Sequence, residues 1–278
     1  FEWASVEING QTLPKAAMLV PITIAGCTKT LYVQFDTGSD ATILYGKILR
    51  RHGLKIDSAL TQSLDFSWSE GLQVKSDSTV VIDWSADDSV DVTSTRPIDN
   101  IVGTIGAPLI LGKILVIDFP RTRFAVYDDT LSLSLQLACA VQYVTGHIRH
   151  FRLYVPVIIG SDTLYDVLFD TCSSSSTLTL PKSVWQVATG LNGDEPQVKR
   201  DSIMAWGQSL NKISAIARAD LKFGALTLKA PVVDHVEWTD PSLTDFRIMG
   251  NAPFYDSCVV VVDTRYARLG VARSAACK

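Results

Sequence analysis

The chain carries one sequence unit twice, and this repeat limits its possible folds more than any other feature. The segment VPITIAGCTKTLYVQFDTGS occupies residues 20–39, and VPVIIGSDTLYDVLFDTCS occupies residues 155–173. Both segments begin with Val-Pro and end with Phe-Asp-Thr-X-Ser. A fold for this chain must therefore place two equivalent Asp-Thr segments in equivalent surroundings.

Two shorter matches follow in the same order. Ile101-Val102-Gly103 corresponds to Ile248-Met249-Gly250, and IDFPRTRFAV at 117–126 corresponds to VDTRYARLGV at 262–271. Three blocks in one order favour gene duplication over chance. The period of roughly 140 residues is too long for a solenoid and suits two lobes. We therefore predict an N-terminal lobe at residues 1–134 and a C-terminal lobe at residues 135–278.

Strand and turn patterns dominate both units. β-Branched and aromatic runs are bounded by Gly, Asn, Asp and Ser, which is typical of strands joined by turns. Of the 29 acidic residues, 24 are Asp and 5 are Glu, and Asp favours turns whereas Glu favours helix interiors. The sequence predicts an all-β chain with short helices at Tyr45–His52 and Pro181–Thr189.

Composition excludes several classes of protein. Apolar residues make up 47% of the chain and charged residues 19%, which excludes intrinsic disorder. The net charge of −4 argues against a nucleic-acid-binding protein, which usually presents a basic face. No apolar run approaches the roughly 18 residues of a membrane span. We therefore expect neither a nucleic-acid partner nor a membrane span.

Each repeat places an Asp at the end of an apolar strand. Asp36 follows Leu31–Phe35, and Asp170 follows Val167–Phe169. A single Asp at such a place is explained by a turn cap. Two of them in duplicated lobes would meet at a pseudo-twofold axis, where neighbouring carboxyl groups share one proton. One group then serves as base and the other as acid, as addition of water to an amide carbonyl requires.

The ordered set of motifs resembles the pepsin-like aspartic proteases and, more distantly, the retroviral proteases. FDTGSDATIL at 35–44 is similar to the first family signature, and LFDTCSSSSTL at 168–178 is similar to the second. The segment Val260–Ala272 resembles the closing strands of the C-terminal lobe. The resemblance covers about Pro14–Ala272. It implies two similar lobes of the pepsin-like acid protease fold, related by a pseudo-twofold axis, with the active-site cleft between them.

The resemblance also implies roles for the signature residues. Asp36 and Asp170 would be the catalytic pair that holds the attacking water. Thr37 and Thr171 would cross-link the two loops by hydroxyl-to-backbone hydrogen bonds.

Four further signature residues would support this pair. Gly38 would let the backbone approach the partner Asp closely, since glycine has no Cβ. Ser39 and Ser173 would donate to the outer carboxylate oxygens. Cys172 departs from the family, which has glycine there, and it places a Cβ and a sulfur beside the catalytic pair.

The resemblance further implies substrate-binding residues. Residues 62–71 are similar to the flap hairpin that closes over the substrate; Trp68 would stand where pepsins usually have Tyr, Ser69 would follow it, and Glu70-Gly71 would lie near the tip. The alternative for Trp68 is a half-buried strand aromatic. Asp40 is similar to an Asp of the retroviral signature that contacts the peptide backbone. Its alternative is a local turn or an ion pair with an Arg.

The function implied is that of a monomeric aspartic endopeptidase with an acidic pH optimum. Its partner would be a polypeptide substrate, and the resemblance implies no metal and no cofactor. It favours a secreted, periplasmic or vacuolar, lysosome-like compartment over the cytoplasm. The alternative is a catalytically impaired pepsin-fold protein that binds peptides, proteins or glycans without cleaving them. Cys172 and the altered flap favour that alternative, whereas retention of Asp36 and Asp170 favours the enzyme.

Overall fold

A computed structural model describes residues 1–8, 10–56, 61–68, 73–82, 93–129, 137, 140–205 and 208–274. Strands account for 50% of the chain and helices for 14%. The all-β class predicted from the repeat and the turn residues is therefore confirmed. Within the part of the chain described, no helix is both long and apolar enough to cross a membrane.

The first half of the chain forms a curled sheet. Its strands run in the order β1-β2-β3-β7-β4-β6-β5, and β5 also pairs with β2, so the sheet curls back on itself. The strands are β1 (Glu2–Ile8), β2 (Gln11–Ile24), β3 (Leu31–Asp36), β4 (Ile43–Tyr45), β5 (Thr61–Trp68), β6 (Gln73–Ile82) and β7 (Ile101–Gly106). Alternate side chains of β3, those of Leu31, Val33 and Phe35, are buried, as the period of two in a strand requires.

The second half forms another sheet, in the order β15-β16-β19-β14-β20-β13-β12-β17-β18, with β11 paired to β12. The strands are β11 (His147–Arg149), β12 (Arg152–Ile159), β13 (Asp162–Phe169), β14 (Leu178–Thr179), β15 (Lys199–Ala205), β16 (Gln208–Ile216), β17 (Leu221–Phe223), β18 (Leu226–Leu228), β19 (Val232–Val236) and β20 (Arg247–Met249).

The two sheets repeat one strand order with the same directions. In the first, β2-β3-β7-β4-β6-β5 are joined by antiparallel, parallel, antiparallel, parallel and antiparallel pairings in turn. In the second, β12-β13-β20-β14-β19-β16 follow the same series. The sequence repeat is thus also a repeat of sheet topology.

A third sheet joins strands from both halves. It contains β8 (Ile114–Asp118), β9 (Arg123–Tyr127), β10 (Gln142–Thr145), β21 (Cys258–Asp263) and β22 (Arg268–Arg273), in the order β10-β22-β21-β8-β9. The central pair β8–β21 is antiparallel, with Val116 opposite Val261. These two residues are equivalent in the repeat, so the pairing is unchanged when the halves are exchanged.

Two short helices follow the Asp-Thr segments, where the sequence predicts them. The first is α1 (Gly46–Arg51) and the second is α2 (Lys182–Thr189). Pro181 precedes α2, and Gly190, in the left-handed conformation with φ 70°, ends it. Trp185 of α2 is fully buried and donates from Nε1 to the carbonyl oxygen of Val233, 3.0 Å away. The helix is thereby fixed to β19.

The main apolar core runs through both halves. It joins Phe35 of β3, Phe169 of β13 and Val260 of β21 in one cluster of buried residues. Phe169 and Phe254 meet edge to face with ring centroids 6.1 Å apart. The strands that end at the two Asp-Thr segments are therefore anchored in a common core.

Each hairpin of the third sheet closes with a matched Asp–Arg pair. Asp118 accepts from Arg123 Nε at 3.2 Å, and Asp263 accepts from Arg268 Nε at 3.0 Å. The Asp263 side chain is fully buried, whereas that of Arg268 is 29% exposed. The Asp and Arg that recur in the third repeated block, at 117–126 and 262–271, thus form ion pairs that stabilise the two hairpins.

We expect Asp263→Asn to lower the free energy of unfolding by about 2 kcal/mol, because it weakens buried hydrogen bonds to a charged group. The matched control is Asp256→Asn, whose side chain is 94% exposed beside Lys15; this change should stay within about 0.5 kcal/mol. Urea unfolding measures both values. Equal stability of the two variants would contradict this role of Asp263.

Candidate active site

The two Asp-Thr segments meet at the ends of equivalent strands. β3 ends at Asp36 and β13 ends one residue before Asp170. β7 runs parallel to β3 with Gly106 opposite Asp36, and β20 runs parallel to β13 with Met249 opposite Phe169. Each segment therefore lies at the carboxyl edge of two adjacent parallel strands.

The strand register corrects one match made from the sequence. Gly250 packs against the Ser173 carbonyl, and the first-half residue in the same position is Gly106, which packs against the carbonyls of Ala41 and Ser39. The sequence comparison placed Gly103 there instead. A Cβ on Gly106 or Gly250 would overlap a backbone carbonyl. Glycine at both places therefore lets the crossing strand approach the Asp-bearing loop.

The two threonines bind each other's loops reciprocally. Thr37 N donates to Thr171 Oγ1 at 3.0 Å, and Thr171 N donates to Thr37 Oγ1 at 3.1 Å. Thr37 Oγ1 in turn donates to the Phe169 carbonyl at 2.8 Å, and Thr171 Oγ1 donates to the Phe35 carbonyl at 2.6 Å. Both threonines are buried. These four hydrogen bonds join the two halves next to Asp36 and Asp170.

Backbone amides orient the two carboxyl groups in the same way. Gly38 N donates to Asp36 Oδ1, and Cys172 N donates to Asp170 Oδ1, both at 2.8 Å. The Gly38 backbone also lies against the other carboxyl group. A Cβ built on Gly38 would stand 2.6 Å from Asp170 Cγ. A side chain at position 38 would therefore displace Asp170.

The surroundings raise the pKa of both carboxyl groups. Removal from water is the main cause for Asp36, and hydrogen bonds from Asp170, the Gly38 amide and the Cys172 thiol offset part of that rise above 3.8. For Asp170, removal from water and the neighbouring charge of Asp36 together raise the pKa well above 3.8. Two interacting carboxyl groups titrate as a pair. Between its two titration steps the pair therefore holds one proton.

Cys172 adds a thiol to the pair. Ligand atoms of Asp36, Asp170 and Cys172 all lie within 4.8 Å of one another. The Cys172 thiol donates to the Phe35 carbonyl, with its sulfur 3.9 Å from the oxygen, and it also lies beside the Asp36 carboxyl group, whose pKa it lowers. Burial raises the pKa of the thiol well above 9.0, and the charges of Asp36 and Asp170 raise it further. Cys172 is therefore a neutral thiol near pH 7 and a poor nucleophile.

The serines of the two signatures do not bond as the resemblance implies. Ser39 Oγ donates to the Ala41 carbonyl at 2.8 Å rather than to Asp36. Serine readily makes such a bond to backbone two residues onward, which closes a local turn. The Ser39 and Ser173 N–H groups donate to the main-chain carbonyls of Asp36 and Asp170 at 3.3 and 3.2 Å, and they also lower the pKa of the two carboxyl groups slightly.

Asp40 lies beside an arginine from the second half. Asp40 Oδ2 is 3.9 Å from Arg152 Nη2. The Asp40 side chain is 56% exposed, whereas that of Arg152 is 19% exposed. An ion pair with an Arg was one of the two predictions for this residue. The Arg itself was missed, because no local pattern around Arg152 links it to a segment more than a hundred residues earlier.

The predicted flap region is described in part. β5 and β6 form an antiparallel hairpin in which Ser67 is opposite Gln73. The backbone of Trp68 ends β5 and pairs with Ile22 of β2. Ser69, Glu70 and Gly71 lie outside the described residues.

Asn251 is a second residue whose role was not predicted from the sequence. Its buried side chain donates from Nδ2 to the Thr171 carbonyl at 2.6 Å and lies 3.4 Å from Ser174 Oγ. It thereby fixes the second Asp-Thr loop from behind. Its place directly after Gly250 was the available signal, but the first half has Ala107 at the corresponding place and the repeat gives no match.

No protein-family model matches this chain, and a search of curated proteins finds no match.

We expect Thr171→Val to lower the free energy of unfolding by about 2–4 kcal/mol, because it removes the acceptor of the Thr37 N–H and a hydrogen bond to the Phe35 carbonyl in a buried site. Thr163→Val, at an exposed position of β13, is the matched control and should stay within about 0.5 kcal/mol. Chemical denaturation measures both. In the double variant Thr37→Val/Thr171→Val the two losses should not add, since the residues share their bonds. Additive losses would contradict the reciprocal contact.

We expect Asp170→Asn to make the protein more stable near pH 7 by about 1 kcal/mol or more. The folded protein holds a proton at Asp170 at pH values where the unfolded chain, with a pKa near 3.8, has lost it. Stability of the natural chain therefore falls as pH rises from about 4 through the raised pKa. Asparagine removes this cost and still accepts from Cys172 N.

Denaturant titrations between about pH 3 and pH 8 check this expectation. The advantage of Asp170→Asn should shrink as pH falls below about 4, where both states of the natural chain are protonated. An advantage that does not depend on pH would contradict the raised pKa of Asp170.

Proposed function

We propose that the chain is an aspartic endopeptidase of two similar lobes in a pepsin-like fold, related by a pseudo-twofold axis. The observation that carries the proposal is the meeting of Asp36 and Asp170 at the ends of equivalent strands, with carboxyl oxygens within 4.8 Å of each other and the pKa of both groups raised. The repeated strand order and the reciprocal Thr37–Thr171 bonds support the twofold relation. The catalytic cleft would open between the lobes, where both carboxyl side chains keep part of their surface accessible.

In the proposed reaction, water attacks the peptide carbonyl directly. Ionised Asp36 accepts a proton from the water as the water oxygen bonds to the carbonyl carbon, and protonated Asp170 donates to the carbonyl oxygen. The product of this step is a diol. When it collapses, Asp36 passes its proton to the leaving amide nitrogen, the C–N bond breaks, and one diol hydroxyl returns a proton to Asp170. Both carboxyl groups then regain their starting states, and no covalent intermediate forms.

The pH dependence of the activity follows from the pair. The reaction needs one proton on the two carboxyl groups. Activity is lost at low pH when Asp36 becomes protonated, and at higher pH when Asp170 loses its proton. Since one carboxyl group must be ionised while the other keeps its proton, and carboxyl groups ordinarily titrate in the acidic range, an acidic optimum is expected.

The substrate would be an extended polypeptide that adds its backbone to the strands around the cleft. By the resemblance, the β5–β6 hairpin would act as the flap, with Trp68, Ser69, Glu70 and Gly71 as substrate-binding residues. Asp40 would face the substrate backbone from its place beside Arg152. A monomer suffices, because both Asp-bearing halves are present in one chain, and a secreted, periplasmic or vacuolar compartment suits an acidic optimum.

One observation favours a second function, that of a protein that binds peptides, proteins or glycans without cleaving them. The Cys172 thiol lies in contact with Asp36, where the equivalent residue of the first half is Gly38. A thiol there takes space and a hydrogen bond that the attacking water would need. Such a protein would retain a cleft able to hold an extended chain.

Cleavage of an unfolded protein substrate at acidic pH tests the proposal. We expect Asp36→Asn to reduce the rate at least about 100-fold, because the base is lost. The matched control Asp162→Asn, at an exposed position of β13, should leave the rate unchanged. Undiminished cleavage by Asp36→Asn would refute the mechanism. Peptide binding without cleavage by the natural chain would favour the second function.

A further inference from the structure

Within the described residues, one cluster of metal-ligating side chains is present, and it is formed by Asp36, Asp170 and Cys172. Their ligand atoms lie within 4.8 Å of one another, and all three side chains are partly exposed. No short sequence motif predicts this cluster, because Asp36 lies 134 residues before Asp170 and comes from the other half. The Thr37–Thr171 bonds bring the three groups together.

Cys172 makes this cluster different from a plain pair of carboxyl groups. The two loops are otherwise equivalent, with an amide N–H at position 38 or 172 donating to the Asp of its own loop. At position 38 the missing side chain leaves room for Asp170. At position 172 a side chain is present, and its sulfur points to Asp36 and the Phe35 carbonyl. The third donor is therefore sulfur and is supplied by one half only.

The donor set selects the class of ion. Two carboxylates and one thiolate suit a borderline or soft divalent cation such as Zn²⁺ or Cd²⁺, whereas Mg²⁺ and Ca²⁺ prefer oxygen donors alone. Three protein ligands with a fourth position open to water are common for zinc in sites that face solvent. A bound cation deprotonates a coordinating thiol by its own charge. The neutral state of the Cys172 thiol in the metal-free protein is thus compatible with binding.

The geometry needs only a small adjustment. Zinc lies about 2.0–2.2 Å from carboxylate oxygen and about 2.3 Å from sulfur, so its donors stand roughly 3.5 Å apart. Donors now within 4.8 Å of one another must therefore converge by up to about 1.3 Å. The Gly38 and Cys172 amides already orient the carboxylates from outside, as second-sphere hydrogen bonds do in metal sites.

We propose that Asp36, Asp170 and Cys172 form a binding site for a thiophilic divalent cation, Zn²⁺ or Cd²⁺. The ion would occupy the space between the carboxyl groups and link the two halves of the chain. A consequence that rests on the proposed protease function is inhibition, because the ion takes the place of the attacking water and replaces the shared proton. Cys172 then makes the enzyme sensitive to zinc.

Metal binding to the full chain tests the site without any substrate. Equilibrium dialysis with Zn²⁺ and the ultraviolet thiolate-to-cadmium absorption on addition of Cd²⁺ are measured near neutral pH. We expect one tight equivalent and a charge-transfer band. Cys172→Ser should lose the band and bind at least about 100-fold more weakly, since loss of an outer-sphere partner alone costs roughly 10–100-fold. Cys27→Ser, which alters a partly exposed free thiol outside the cluster, should bind like the natural chain.

Alkylation of the natural chain tests the site without any substituted variant. Zn²⁺ should protect Cys172 from alkylation by iodoacetamide at least about tenfold more than it protects Cys27, as read by mass spectrometry of the two peptides. Equal protection of both, or unchanged metal affinity in a folded Cys172→Ser variant, would overturn the site.

Different results would refute the metal site and the protease function. Cysteine-dependent binding of one equivalent by a chain that cleaves nothing when metal-free would support the site and refute the enzyme. Metal-free cleavage that Zn²⁺ inhibits equally in the natural chain and in Cys172→Gly would overturn the site and leave the enzyme standing.

Discussion

The reciprocal hydrogen bonds between Thr37 and Thr171 are the interaction on which the candidate site depends. Each threonine uses its hydroxyl both to accept from the other's backbone and to donate to the strand that precedes the other's Asp. The carboxyl groups of Asp36 and Asp170 are thereby brought together although each belongs to a different sheet. Their mutual effect on pKa, and the thiol cluster that includes Cys172, both follow from this junction. Because the four bonds are buried, breaking one leaves polar groups unpaired in the interior.

The two halves have the same strand order and backbone hydrogen bonds, but the side chains beside their Asp residues differ. Strand order, amide donors and the glycines behind the loops repeat, so each Asp receives the same support. The side chain at the position after Thr does not repeat, since one half has Gly38 and the other Cys172. The thiol lies beside Asp36 and lowers its pKa relative to the desolvated group, while the charge of Asp36 raises that of Asp170. A duplicated frame thus holds two carboxyl groups in unequal surroundings.

Much of this arrangement could be predicted from the sequence, because a duplicated segment must occupy an equivalent position in each half of the fold. The all-β class, the short helices at α1 and α2 and the residues of both Asp-Thr loops follow from local pattern and duplication. What the sequence could not give is set by contacts between segments far apart. The ion pair of Arg152 with Asp40 and the hydrogen bond of Asn251 to Thr171 have no counterpart in the other half. Strand register places Gly106, and not Gly103, behind the first loop, and register is not visible in the sequence. Ser39 donates to the Ala41 carbonyl two residues onward. This local turn takes the place of the expected hydrogen bond to a carboxylate.

The central claim is that Asp36 and Asp170 behave as one coupled pair that holds a proton above the ordinary carboxyl range. A ¹³C NMR titration of labelled aspartate carboxyl carbons, with assignments from Asp36→Asn and Asp170→Asn, measures this directly. The pair should titrate in two steps, with the upper step well above 3.8, and removing Asp36 should shift the remaining step of Asp170 downward. Two independent titrations near 3.8, unchanged when the partner is replaced, would contradict it.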